Sequence, residues 1–562
     1  MKTNKDKAFF VLLVIASITT LFLGTVGFYN YKPDQGWSTA FYRAVQLFSL
    51  NSGVVDGSTP WMIEVSRWSG IAALLGVATA AISAIYGYFK NSIRVGRMRD
   101  HVIVCGAGQR GSQIVKNLCA LDPNPGVVVI EIDEANQNIG ELRDLGAEVI
   151  SGNALDSATM RKAGIERAAK LVAVTHRDET NLGICAEVEN KFGQSCELHA
   201  GVESFELRSY LINRLEGSGV RFDSFITKAA RQLMLEIASE ATKTSAFRKD
   251  GVRVMIDAVG IYQQELVRAG ALMLQISAEK RPRIDLCSAA TNAQSVFMER
   301  FPEAALVVDL AWNEGTADST FPERENVCPD FAIFAHGDDT ATLEAADRFR
   351  TRHPMQAQRI FACLGSTTEL CDLVTKSGVK NELGIMQIRN WFGLGLGRKD
   401  PLELDIDEVA KRCHAVYCTE EIGRAAKDGQ KWDGLPQDWA LLAERYRESN
   451  RLLAMHHEVK KIAWANRSEG QDHEMLVHLS RSEHMRWMAE KVMEGWRWSG
   501  SNKPTSRNNE RLLHHLLVPY DALSNDEKDK DYHTFLWALD LPVGFTGVSR
   551  PSEMEAEIQK NP

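Results

Sequence analysis

The 562-residue sequence has no C-x-x-C pair among its ten cysteines, no Walker-type phosphate loop and no excess of basic charge. The cysteines (105, 119, 185, 196, 287, 328, 363, 371, 413 and 418) are scattered. That spread suits reduced, structural thiols in a cytosol and excludes a disulfide scaffold. His414 stands beside Cys413 and near Cys418 without a second ligand pair, so no metal is expected. The net charge is -9, whereas general nucleic-acid binding wants a basic face. His456 and His457 are adjacent, not four apart, and are expected on a helix surface. No nucleophile–base pairing stands out, so no catalytic residue is assigned and an enzyme is not the first expectation.

Long uncharged runs are also scarce, and the chain has two of membrane length. Phe9 to Phe28 is free of charge for 20 residues, enough to cross a hydrocarbon core of about 30 Å. Gly70 to Tyr88 has no ionisable side chain except Tyr86 and Tyr88. The spans are placed at about 9–28 and 70–89, within a membrane module over 1–98. A signal peptide is the alternative for the first run, but the run exceeds the usual apolar length of about 7–15 residues. Lys2, Lys5 and Lys7 precede the first span, and Lys90, Arg94, Arg97 and Arg99 follow the second. By the positive-inside rule both termini are expected in the cytoplasm of a multi-pass inner-membrane protein.

Between the spans, Trp37, Phe41, Tyr42, Val45 and Phe48 recur at helical spacing. A glycine-punctuated stretch, Asn51-Ser52-Gly53-Val54-Val55-Asp56, follows, then Trp61 and Trp68 as interfacial aromatics. A helix, irregular backbone and a second span fit a re-entrant loop over 37–60, which survives at membrane depth only when buried by protein or lined by water. This part resembles the two-helix-plus-pore-loop module of potassium-type channels. Against T-V-G-Y-G-D the segment matches at Gly53 and Asp56 and departs at Asn51, Val54 and Val55. The second filter glycine permits a backbone shape that valine strains. A plain hairpin loop is the other reading. Gly76, Ala80 and Ala84 form a small-residue stripe suited to helix association. Two spans cannot enclose a pore, so a channel would need a homo-oligomer, most naturally a tetramer.

After the second span, His101 to Cys105 reads as a buried strand, and Gly106, Gly108 and Gly111 complete G-x-G-x-x-G before a helix over Gln113 to Ala120. Gly126 to Ile130 is a second strand ending in Glu131, where an acidic residue would hold a ribose hydroxyl. Glu131 favours NAD or another unphosphorylated ribose, with Asp133 as the fallback. Further on come Gly146-Ala-Glu-Val-Ile-Ser-Gly-Asn-Ala-Leu-Asp156, Ala163-Gly-Ile-Glu-Arg-Ala168 and Leu171-Val-Ala-Val-Thr-His-Arg-Asp-Glu-Thr-Asn181. Together, over about 100–203, these motifs closely resemble the KTN/RCK (TrkA N-terminal type) domain that regulates potassium channels and transporters. The resemblance implies a nucleotide site lined by Gly106, Gly108, Gln109, Arg110, Gly111, Glu131, Asn153, Ala154 and Thr175. Asn153 departs from the family's usual aspartate. The Rossmann-type domain is bounded at 99–245.

A second α/β unit over 246–390 is expected from strands at Val252–Ala258, Ala305–Asp309, Phe331–Phe334 and Arg359–Ala362, with a helix from Gly260 to Ala271. Its fingerprint region, Asp257-Ala-Val-Gly-Ile-Tyr262, has one glycine and reads as a degenerate copy. The remainder, 391–562, is helical. Leu479-Ser-Arg-Ser-Glu-His-Met-Arg-Trp487, Glu494-Gly-Trp-Arg-Trp498 and Leu517-Val-Pro-Tyr-Asp-Ala-Leu523 resemble the RyR domain, the repeat named after ryanodine receptors, over about 478–540. His514-His515 departs from the family's usual His-Pro. Glu483, His484, Arg486, Trp487, Trp496, Trp498, His514 and Tyr520 are the candidate ligand pocket. Stacking faces beside Arg and His suit a planar base with phosphate; the same aromatics could equally build a small core.

The expected architecture is thus a two-helix membrane module, tandem Rossmann-like α/β domains and a helical RyR domain. The expected function is a ligand-gated membrane channel or effector sensing a nucleotide, in the setting of nucleotide-signalled anti-phage defence that the RyR resemblance suggests. The alternatives are a non-conducting regulatory subunit of cation transport, or a membrane-anchored NAD-dependent enzyme using His176 and Asp178.

Overall fold

The computed structural model describes residues 4–49, 58–121, 126–193, 195–214, 219–246, 250–321, 329–353, 359–365, 386–396, 404–427, 429, 431, 434–536 and 539. The chain divides into two compact units, Met1–Arg97 and Met98–Pro562.

In the first unit the helix Asn4–Tyr31 packs against the helix Trp61–Arg97, with the helix Gly36–Gln46 beside them. Two stretches, Val11–Tyr31 and Trp61–Ile82, are long and apolar enough to cross a membrane. The second helix therefore starts nine residues before the expected Gly70, and Trp61 and Trp68 belong to it, both exposed. Pro60 opens it by accepting the N–H groups of Ile63 and Glu64 on its carbonyl. Close approach of the helices rests on glycines at the contacts. A Cβ on Gly27 would crowd Ile63, and one on Gly70 would sit 3.1 Å from the Leu47 carbonyl oxygen. Thr20 and Ser69 join hydroxyls at 2.8 Å. Gly76 and Ala80 are not part of these buried contacts. The expected pore-loop residues Asn51 to Asp56 lie outside the described residues.

In the second unit, six parallel strands, β1 (His101–Cys105), β2 (Val127–Glu131), β3 (Glu148–Ser151), β4 (Ala168–Ala173), β5 (Glu197–Gly201) and β6 (Val220–Asp223), lie in the order β3-β2-β1-β4-β5-β6. This is the doubly wound order, and its direction reverses between β1 and β4, where such folds bind ligands. Near-continuous apolar runs such as Val127–Ile130 follow from helices covering both faces. The fingerprint helix spans Gln109–Leu121, four residues earlier than expected, so Gly111 lies inside its first turn.

The second sheet repeats the same winding. Its strands are β7 (Arg253–Ala258), β8 (Arg283–Cys287), β9 (Asp309–Trp312), β10 (Phe331–Ala335), β11 (Ile360–Leu364) and β12 (Gln387–Asn390), in the order β12-β11-β10-β7-β8-β9. The expected strand over 305–309 is a correction. Ala304–Leu306 is a turn of 3-10 helix, and β9 begins at Asp309, whose N–H donates to the Pro282 carbonyl. An apolar run in that turn buries Val307 and Val308 without ladder pairing. Strand β8 carries Arg and Asp among its apolar residues and has no clean apolar run, which hid it.

One core joins the pieces of this unit. Leu233, Met234 and Ile237 on the helix Phe225–Thr244 pack with Val254, Ile256 and Ile333 of the second sheet. Leu452 and Val459 of the helix Glu444–Ala465 and Met488 and Val492 of the helix Asp472–Met493 join the same cluster. The expectation for His456 and His457 fails here: both are buried, because their helix is sandwiched and has no free face at that turn. Burial drives both imidazoles toward the neutral form, His457 down to about 3.

Candidate functional site

The loop after β1 is shaped by its glycines. Gly106 has φ +107°, a left-handed conformation that favours glycine. A Cβ on Gly111 would collide with the Gly106 carbonyl oxygen, so the third glycine sets the strand–helix approach. A Cβ on Gly108 would meet nothing within 4 Å. That open face, over the N-terminal turn of the helix Gln109–Leu121, is where a pyrophosphate would approach the backbone.

Glu131 ends β2 and is buried. Its Oε2 accepts the Ala107 N–H at 2.6 Å, and its Oε1 accepts the Asp133 N–H at 2.9 Å. Oε2 also accepts from Asn136 Nδ2 at 3.3 Å, so of the carboxylate's roughly four acceptor positions the one left for a ribose hydroxyl is on Oε1. Asp133 accepts the Ala135 N–H, and Asn153 the Leu155 N–H; Asn153 is exposed and Ala154 buried beside it. Arg110 pairs with Glu203 at the end of β5 at 3.4 Å, while Gln109 is exposed. Thr175, after β4, directs both its N–H and its hydroxyl at Asn181 Oδ1, each at 2.7 Å. All ten expected residues thus surround the C-terminal ends of β1, β2, β3 and β4, and the set fits a nucleotide.

Residues 102–217 match the TrkA-N domain family. Among curated proteins, the chain is 36% identical over 81 residues to the Trk system potassium uptake protein TrkA homolog of Archaeoglobus fulgidus, covering 14% of this chain and 17% of that protein. It is 27% identical over 188 residues to Potassium channel protein 1 of Methanocaldococcus jannaschii, covering 31% and 54%. The chain thus spans about half the length, or less, of these relatives. A crystal structure of GsuK bound to ADP aligns at TM-score 0.35 and 12% identity, covering 69% of this chain and 96% of that one.

Two residues of the TrkA-N domain that motif reading passed over hold its loops. Asn181 is fully buried, and its Nδ2 donates to the Gly201 carbonyl at 2.8 Å, tying the β4 loop to β5. Asn138 donates to the Ala107 carbonyl at 2.7 Å. Asn181 closes the quoted β4 motif; Asn138 lies beyond any expected strand and carried no signal. Of the enzyme candidates, His176 is exposed and Asp178 accepts the Ser204 N–H.

A second concavity, of about 1400 Å³, lies in the C-terminal part. Glu483, His484, Arg486, Trp487, Trp496 and His514 line it. Trp498 stands apart and exposed, and Tyr520 is buried behind the lining. The charged members are committed internally. Glu483 accepts from Lys460 at 2.5 Å and Arg486 at 3.0 Å, and Arg486 reaches Glu490 at 2.9 Å. Despite the burial opposing ionisation, these cations hold the Glu483 carboxyl down to about 2. His484 donates Nε2–H to the Val518 carbonyl at 2.8 Å and faces Asp531 at 3.4 Å. Burial lowers its pKa, but these partners outweigh it and the net direction is up. Trp487 stacks on His484 at 5.8 Å and 23° and stands edge-on to His514 at 4.9 Å.

His414 donates Nε2–H to the Pro436 carbonyl at 2.7 Å and touches Cys418 at 3.5 Å. Among the described residues no group of three or more His, Cys, Asp or Glu could hold a metal ion.

Proposed function

We propose that this protein is a nucleotide-controlled membrane channel or effector for cation transport, built as a homo-oligomer, most naturally a tetramer, in the cell inner membrane with both termini cytoplasmic. The observation that carries this reading is the order of parts on one chain. Two membrane-length apolar helices lead directly into a TrkA-N domain, and only Met98, Arg99 and Asp100 separate the helix Trp61–Arg97 from β1. The names of the matched relatives, a potassium uptake protein and a potassium channel, point to cation transport.

In this reading NAD or a related nucleotide sits with its pyrophosphate over Gly108 and its ribose against Glu131. Its binding biases an arrangement of TrkA-N domains, and the helix ending at Arg97 transmits the change. Tight binding alone shifts nothing; the ligand must prefer one arrangement. The C-terminal segment acts as an RyR-type nucleotide sensor, which would suit a defence effector triggered by a nucleotide signal. The second reading is a non-conducting regulatory subunit, favoured by the departures at Asn51, Val54 and Val55 from a potassium filter.

The test is ion flux in proteoliposomes containing the purified protein, with and without NAD, ADP-ribose and cyclic nucleotides, alongside Val55→Asp. Ligand-dependent flux altered by the substitution supports a gated pore. Ligand binding without flux for any ion transfers the reading to a regulatory subunit.

A further inference from the structure

The C-terminal cavity is not a property of the RyR-like segment alone. Phe205, Tyr210 and Arg214, on the helix Phe205–Arg214 that follows β5, line it together with Arg300 and Phe301 from between β8 and β9. Two further helices, Leu404–Lys427 and Glu444–Ala465, contribute Tyr417 and Tyr446. Both Rossmann sheets and the C-terminal helices therefore share one concavity. Its volume of about 1400 Å³ exceeds the roughly 300–1,000 Å³ of ordinary small-molecule pockets.

The lining is cationic in a chain whose net charge is -9. Eight Lys or Arg side chains stand against five Asp or Glu. Arg214, Arg507 and Arg511 form no ion pair with a carboxylate among the described residues, and Arg507 lies 5.8 Å from the Trp496 ring centroid. His515 stacks on His514 at 5.0 Å and 7°. It is 8% exposed, and its Nδ1 is buried without a hydrogen-bond partner. A buried polar atom left open is costly unless a ligand or water satisfies it.

We propose that this cavity is a composite site for a dinucleotide, two nucleosides joined through phosphate. Bases meet Trp487, Trp496 and the His514–His515 pair, phosphates meet Arg507, Arg511 and Arg214, and the occupant joins the C-terminal helices to both Rossmann sheets. The proposal deepens the nucleotide-sensing reading and rests on it. It differs from the fingerprint site in size, in charge and in needing a wall from each of three regions.

Calorimetric titration of the full-length protein in nanodiscs tests it, using cyclic di-AMP as the dinucleotide probe, NAD as the ligand of the fingerprint, and AMP and adenosine as smaller controls. The variants are Arg214→Ala and Arg507→Ala, both exposed, His515→Ala, and Gly108→Ala to obstruct the fingerprint. The expected result is cyclic di-AMP binding that persists in Gly108→Ala and weakens about tenfold or more in Arg214→Ala and Arg507→Ala. His515→Ala is expected to weaken it as well. Cyclic di-AMP binding unchanged by both arginine variants, or lost only in Gly108→Ala, overturns the composite site and leaves nucleotide sensing at the fingerprint standing. AMP binding as tightly as the dinucleotides also overturns it. No nucleotide binding by the wild type removes the proposal and the sensing reading together.

Discussion

At Gly108 and Gly111 the same chemical change has opposite meanings. A methyl group at Gly111 runs into the Gly106 carbonyl oxygen, so Gly111→Ala forces the β1 loop apart. A methyl at Gly108 meets only open space, so the fold tolerates it while the backbone surface a pyrophosphate would touch is covered. Gly111→Ala is expected to lower the stability to denaturant measurably, whereas Gly108→Ala leaves it within about 0.5 kcal/mol of wild type and weakens NAD binding. Equal affinity of Gly108→Ala and wild type for NAD would remove the fingerprint as the site. Gly106 and Gly111 were legible because a left-handed φ and a close strand–helix approach each demand glycine. Asn181 was not, since a buried asparagine that satisfies a loop looks in sequence like any polar residue.

The helix Asp472–Met493 and its neighbour Glu444–Ala465 are held by charge as much as by apolar contact. Lys460 and Glu483 are 1% and 3% exposed and bond across the two helices. Removing one partner strands the other charge, so Glu483→Ala is expected to cost about 3–5 kcal/mol, read from chemical denaturation. A change below about 1 kcal/mol would mean that water reaches the pair. The buried histidines of this region add a pH dependence. His457 and His514 are depressed to about 3, each mainly by burial. Below the unfolded value near 6.5 the unfolded chain takes up protons that the folded one refuses, so stability falls at about 1.4 kcal/mol per pH unit for each group. His484, shifted upward, offsets part of the loss. Melting curves at pH 7.5 and pH 5 should therefore show a lower midpoint in acid; an equal or higher midpoint contradicts the burial of these rings. Sequence spacing marked the helices but could not tell a solvated His456–His457 face from one covered by a neighbouring helix.

Between the two units, the connection is short. Asp100 adopts φ +54° and donates its N–H to the Arg167 carbonyl at 2.8 Å, while Arg167 Nε donates to the Met98 carbonyl at 3.3 Å. Met98 and Asp100, at the start of the second unit, are thus fastened to the turn before β4. Inserting six Gly/Ser residues after Asp100 is expected to leave nucleotide affinity unchanged and to abolish ligand-dependent flux, because flexible linkers transmit little force. Flux that still follows the ligand would show that coupling runs by another route.

Length, charge and apolar pattern by themselves determined the two membrane-length helices, the first winding from β1 to β4 and the strands β7, β10 and β11. Each of these is a local arrangement: an uncharged run, a glycine turn, a short apolar strand between turns. The tertiary structure alone decided that the second sheet repeats the complete order of the first, because β8 and β9 gain their burial from neighbours and not from their own composition. It also decided which charges are spent on internal pairs, as with Glu483 and Lys460, and which have no carboxylate partner among the described residues, as with Arg214 and Arg507. Lys460 and Glu483 stand on different helices, and Arg231 bonds Glu448 from another part of the chain, so no helical spacing records such pairs.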